Sequence, residues 1–385
     1  MFASRTNWNL AQNRLSEALA RHRAAGRTLF DLTVSNPTEC GFDCDSTTIL
    51  KSLANPAALQ YAPDPKGMLA AREAVANYYA LRRDQVSPAG IFLAVSTSEA
   101  YSFAFRLLCN PGDEVLIPAP GYPLFDFLAD IHDVKLVRYP LLYDHGWQID
   151  FHALALAVTP RTRAVIVVHP NNPTGHFCKP GEAARLSQLA SPRDIALVAD
   201  EVFLDFSLAG DPPPTFATNS AALTFTLSGV SKISGLPQMK LAWLVVSGPK
   251  HLEDQAISRL EVIADAYLSV SAPLQLALPA LLAVRGAFQR QLLARVRVNL
   301  AALDRLLATQ KSCTRLALEG GWNAILRVPA TGSDEDLAIA LLETKHVYAH
   351  PGHFYDFPRD GHLVVSLIAP ESRFSEGITR LLSSF

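Results

Sequence analysis

The sequence predicts an α/β fold: a mostly parallel, seven-stranded central sheet with helices on both faces, plus a smaller α+β domain. Three observations predict it. The chain has 385 residues, beyond the ~250–300 at which one hydrophobic core stops growing. From about residue 60, seven short apolar runs alternate with longer helical stretches. Several of those runs are apolar throughout, as strands buried on both faces of a parallel sheet must be.

Taken in order, residues 7 to 25 place apolar side chains near helical spacing and meet a glycine at Gly26, which predicts an amphipathic helix. TVSNPTECGF reads as a loop by its Asn, Pro and Gly. The strand-like runs are IFLAV (91–95), EVLIP (114–118), VKLVRYP (134–140), RAVIVVHP (163–170), IALVADEV (195–202), LTFTLSGVS (223–231) and LAWLVVSG (241–248). A long helical region follows to about 310. Two isolated strand-like pieces come next, WNAILRVP (322–329) and HLVVSL (362–367), then a last helix to Phe385. The expected domains are a large one over 49–284 and a small one built from 1–48 and 285–385.

Composition narrows the function. Hydrophobic residues make up 49% and charged residues 18%, with a formal net charge of −2, so an ordered chain is expected and nucleic acid is not its main ligand. The opening MFASRTNWNLAQ carries no apolar run, and no run elsewhere reaches ~18 residues, so neither a secretory signal nor a membrane span is expected. Five cysteines, an odd number, suggest a reducing, cytoplasmic setting without a disulfide framework. Cys40 and Cys44 are close in CGFDC, yet no second Cys/His cluster accompanies them, so no metal is expected.

Ligands of open α/β sheets bind beyond the carboxyl ends of the strands. Polar residues there are Thr97 and Ser98 before an apolar helix, Tyr122 in a turn, Asn172 in NNPTG, Asp200, and Lys232 after LTFTLSGVS. Each has an ordinary reading: an N-cap, a turn tyrosine, a rigid turn, an ion pair, a surface lysine. Together they offer an anion pocket, a ring, an amide, a carboxylate and an amine. Pyridoxal phosphate uses all five, through its phosphate, aromatic ring, phenolic oxygen, ring nitrogen and aldehyde.

The landmarks YAPDPKGMLAARE, LLCNPGDEVLIPAPGYP, NNPTG, ADEVFLDF, SGVSK with LPQMK, and PGHFYDFP stand in that order over nearly the whole chain. In them the chain resembles the class I/II aminotransferases, pyridoxal-phosphate enzymes of fold type I. The resemblance implies that Lys232 forms the internal aldimine, a Schiff base, and then shuttles a proton. It implies that Asp200 pairs with the ring nitrogen, Asn172 bonds the phenolic oxygen and Tyr122 stacks on the ring. Thr97, Ser98, Ser231 and Lys240 would hold the phosphate. Tyr61 would reach the phosphate of a neighbouring protomer in a homodimer. Transfer of an amino group from an amino acid to a 2-oxo acid, by a ping-pong mechanism, is the implied activity.

Three positions depart from the family pattern. Phe203 stands where a tyrosine is common, which removes one donor from the ring oxygen and predicts a raised imine pKa. Lys240 replaces an arginine, a point charge for a two-pronged donor. Val364, in His362-Leu363-Val364-Val365-Ser366, replaces the arginine that clamps the substrate carboxylate. Arg373, Arg106, Lys240 and the Asn36 loop are candidates to serve instead. Trp8, Phe203, Tyr267, Trp322 and Phe354 are candidates to line the substrate side or simply to fill the core. The loss at Val364 leaves a pyridoxal-phosphate lyase or decarboxylase as the alternative. A non-enzymatic ligand sensor carried behind a DNA-binding module is the third reading, and the fold begins too early in the sequence for such a module to be expected; Lys232, Asp200 and Asn172 together argue against a catalytically dead relative.

Overall fold

A computed structural model describes residues 1–123, 125–208, 210–211, 213–268 and 270–385. In chain order its strands are β1 (Phe30–Asp31), β2 (Ile91–Ala94), β3 (Glu114–Ala119), β4 (Lys135–Tyr143), β5 (Trp147–Ile149), β6 (Thr162–Val168) and β7 (Ala196–Asp200). They continue as β8 (Thr224–Gly229), β9 (Ala242–Ser247), β10 (Thr314–Arg315), β11 (Asn323–Arg327), β12 (Val347–Tyr348), β13 (His350–Pro351) and β14 (His362–Ser366).

The large sheet runs β2-β9-β8-β7-β6-β3-β4-β5. Neighbours from β8 through β4 are parallel, while β9 pairs antiparallel with both β2 and β8. All seven runs read from the sequence are strands of this sheet. An eighth, β5, joins it by an antiparallel hairpin on β4. Its three residues lie just after the turn at Asp144–Gly146, too few to show a period in sequence.

Both faces of the sheet are covered, which is why its strands need apolar residues at every position. Along β6, Ala164, Ile166 and Val168 face one core, with Phe103, Phe105 and Leu260 from the helices Thr97–Leu108 and Lys250–Tyr267. Val165 and Val167 face the other, with Leu154 and Leu186 from the helices Phe151–Ala157 and Pro180–Ala190. Each side chain of this size contributes roughly 1.5–3 kcal/mol when fully buried. The alternation puts Asp200 on the same face as Ala196 and Val198, under the helix Thr97–Leu108.

The chain ends meet. β1 pairs in parallel with β12, and Leu15 and Ala18 of the helix Arg14–Ala24 pack on Ala338 and Leu342 of the helix Asp334–Lys345. That first helix begins at Arg14 rather than near residue 7, because the Asn13 side chain accepts from the Ser16 N–H and caps it there. The preceding residues reach instead to the helix Phe125–Ile131 and the turn after it: Trp8 Nε1 donates to Asp130, and Arg5 pairs with Asp133. A four-stranded antiparallel sheet, β10-β11-β14-β13, completes this part. Among the described residues no single helix is long and apolar enough to cross a membrane.

Candidate active site

Three adjacent parallel strands deliver three polar side chains to one end of the sheet. β7 ends on Asp200, β8 leads into the short helix Val230–Ile233 that carries Lys232, and β6 leads into the turn that carries Asn172. The helix is held from behind by Gln289, whose amide donates to both the Ile233 carbonyl and Asp205.

Asp200 is buried. Its Oδ1 accepts from the Val202 N–H at 3.1 Å and its Oδ2 from the Tyr101 hydroxyl at 3.1 Å. Burial pushes its carboxyl up to about 6, against the lowering effect of those two donors and of Lys232. Its neighbour Glu201 turns the other way, onto the Thr215 hydroxyl and the Phe216 N–H. Burial also holds the Lys232 ammonium below its ordinary range, with Asp200 pulling the other way. The amine sits 5.0 Å from the Trp322 ring centroid and 5.7 Å from that of Phe203. Those rings meet edge to face at 4.8 Å. Burial favours the neutral amine, while the ring faces attract its charged form and moderate that effect.

The other predicted residues divide. Thr97 and Ser98 are half-buried in the first turn of the helix Thr97–Leu108, whose cap is Ser96, and Ser231 precedes Lys232. Tyr122 lies in the turn after β3, where the Gly121 N–H donates to the Tyr355 carbonyl. Burial, with the Asp200 charge adding, raises the Tyr122 hydroxyl pKa. Lys240 is exposed, in the left-handed region at φ 46°. Tyr61 is 84% exposed and lines a cleft of about 320 Å³ with Asp64, Met68, Leu268 and Gln275.

Several substrate-side candidates are engaged elsewhere. The Asn36 amide is held in its own turn, accepting from the Thr38 N–H and hydroxyl and donating to Glu39. Arg373 donates to the Leu29 carbonyl and lies over Phe30. Arg106 donates to the Tyr267 hydroxyl. Trp8 lies on Phe127, and Phe354 on His350 and His353. Val364 is 2% exposed and packs with Ile325, Leu316, Tyr355 and Phe357. No charge issues from β14 at that position.

One site residue escaped the sequence reading. Asn323, the first residue of β11, donates from Nδ2 to Asn172 Oδ1 at 2.7 Å. Two glycines bring them together: a Cβ on Gly175, at φ 68°, would collide with Leu318 and the Gly320 carbonyl, and one on Gly320 would collide with Phe177. The Gly320 N–H donates to the Gly175 carbonyl at 3.1 Å, and the Gly321 N–H to the Phe206 carbonyl at 2.9 Å. The available signal was an amide opening the apolar run Ala324–Leu326 directly after Gly320-Gly321-Trp322.

Residues 27–372 match the family described as aminotransferase class I and II. The glutamate-pyruvate aminotransferase AlaA of Escherichia coli K12 is 31% identical over 254 residues, 65% of this chain; the chain spans 62% of that relative's length. An alanine aminotransferase of Mycobacterium tuberculosis is 28% identical over 381 residues, covering 94% of this chain and 86% of its own. The solved structure of an alanine aminotransferase from Pyrococcus furiosus superposes with a TM-score of 0.89 at 19% identity, covering 100% of this chain and 99% of that one. An aminotransferase from E. coli superposes at 0.87 with 23% identity, covering 100% and 97%. At these identities the structural matches establish the fold.

Proposed function

The chain belongs to the class I and II aminotransferases, and from that membership we propose that it moves an amino group from an amino acid to a 2-oxo acid in two half-reactions. One observation carries the reading: Lys232, Asp200 and Asn172 come from consecutive strand ends, the lysine driven toward its neutral form by burial and the buried carboxylate making no direct ion pair among the described residues, with only the Lys232 charge acting on it.

The family's cofactor, pyridoxal phosphate, fits these groups. The buried Asp200 carboxylate wants a positive partner, which a protonated ring nitrogen provides. The Asn172 Nδ2 group has no acceptor among the described residues, and a ring oxygen supplies one. When bound, the cofactor contributes an aldehyde that condenses with amines and a ring that stores the electron pair released at the amino acid's Cα.

The chain's own residues do the rest. Lys232 Nζ, neutral, would hold the cofactor through its aldehyde and would be the base that moves the Cα proton. Asp200 keeps a proton on the ring nitrogen. Asn172 would donate to the ring oxygen, and Tyr122 would stack on the ring. Thr97, Ser98, Ser231 and Lys240 hold the phosphate at the start of the helix Thr97–Leu108. Trp322 and Phe203 exclude water beside the amine.

We further propose a large domain over 49–284, a small one from 1–48 and 285–385, and a homodimer in which Tyr61 enters the partner's site. Tyr61 and Leu268 are exposed on the single chain and line one cleft with Met68, and apolar residues grouped in this way support a partner there. Five free thiols support a reducing, cytoplasmic setting.

The test is a single-turnover screen of amino acids against the cofactor-loaded protein, following the cofactor absorbance. Accumulation of the pyridoxamine form, reversed by a 2-oxo acid, is the expected result. Release of a 2-oxo acid with ammonia, or of carbon dioxide, would overturn it in favour of a lyase or a decarboxylase.

A further inference from the structure

The pair Asn323–Asn172 has a consequence for the cofactor that neither residue has alone. A side-chain amide carries an acceptor at one end and two donors at the other, and the two ends have nearly the same shape. Packing therefore selects poorly between them; a hydrogen-bond partner selects well. At Asn172 that partner is Asn323 Nδ2, which engages Oδ1 at 2.7 Å. The Nδ2 end of Asn172, with no acceptor among the described residues, is the end left for the site.

From this pair we infer that Asn323 is a positioning residue: it holds the Asn172 amide with its NH₂ group toward the oxygen on the cofactor ring. The inference rests on the pyridoxal-phosphate reading. That oxygen, when ionised, only accepts, so an NH₂ stabilises it and a carbonyl repels it. The dependence is sharp here because Phe203 has no hydroxyl to donate. The backbone of Asn323 is firmly placed. It pairs with Ser366 across β11 and β14, and the Gly175–Gly320 contact fixes the approach of the two loops.

The test uses the cofactor-loaded full chain and reads the pH midpoint of its visible absorbance, a property a merely structural contact does not move. Asn323→Asp has nearly the same shape but only accepts. It can engage Asn172 only through Nδ2, which turns the Asn172 carbonyl toward the ring oxygen. Asn323→Ala removes the partner without imposing a turn. The midpoint is expected to rise in both, by about one pH unit or more in Asn323→Asp and by less in Asn323→Ala. Cofactor dissociation should quicken in the same order. Adding Phe203→Tyr to Asn323→Asp restores a donor and should bring the midpoint back down. Unchanged midpoints in both single variants, with only a lower melting temperature, would overturn the inference. Failure of the unmodified chain to retain pyridoxal phosphate would overturn both the inference and the cofactor reading beneath it.

Discussion

The Lys232 amine lies 5.0 Å from the centre of the Trp322 ring, so an amine borne by the large sheet meets a ring supplied by the segment leading into β11. Burial there holds the amine's pKa below 10.5. Lys232→Ala should leave no site for borohydride to join the cofactor to the chain. Turnover should fall by about 10²–10⁴-fold, the usual share of a positioned proton carrier. Peptide mapping after reduction and steady-state rates check the two halves. In the unmodified apo chain, cofactor uptake should quicken as pH rises, until the amine is neutral.

Asp200 predicts an inverse relation between apo stability and function. Its carboxyl is raised from 3.8 to about 6, so the folded state holds a proton that the unfolded state gives up. That contribution is present below pH 3.8 and lost as pH climbs through about 6. Above pH 7 the ionised group is a burden of up to about 3 kcal/mol. Asp200→Asn should therefore raise the apo melting temperature at pH 8 and change it little near pH 4. The same variant should retain the cofactor poorly. Calorimetry at the two pH values, with cofactor titration, decides it.

Phe203 stands beside the lysine without a hydroxyl. Phe203→Tyr supplies a second donor to the ring oxygen and should lower the pH midpoint of the bound cofactor's absorbance by about one unit, one charge-assisted hydrogen bond being worth roughly 1.5 kcal/mol or more. An unmoved midpoint would show that the new hydroxyl does not reach that oxygen.

Lys240 offers a single point charge where a guanidinium would grip two phosphate oxygens. Lys240→Arg should tighten cofactor binding roughly tenfold, or about 1.4 kcal/mol, measured by equilibrium dialysis. An equal or weaker affinity would place the phosphate elsewhere.

Leu268 is 72% exposed and shares the Tyr61 cleft. Leu268→Glu should shift the chain from dimer to monomer in sedimentation. A monomeric parent chain would remove the reason for assigning Tyr61 to a partner's site.

Seven strands of the large sheet were legible in the sequence, together with polar side chains at their ends. Strands buried on both faces have to be apolar at every position, so the seven runs stood out. A polar side chain that ends such a run, like Asp200, stands out for the same reason. Short pairings such as β1 with β12, or the strand β5, carry too few residues to show a period. Which side chains meet depends on the folded chain. Asn36 is drawn into its own turn, because a local donor or acceptor is reached at little entropic cost, while Arg373 is held by the Leu29 carbonyl, which the fold brings to it from the other end of the chain. Asn323 is joined to Asn172 across 151 residues of sequence by the close passage of two glycines. An amide's worth to a site depends on which of its ends is already taken, and that is a property of neighbours in space.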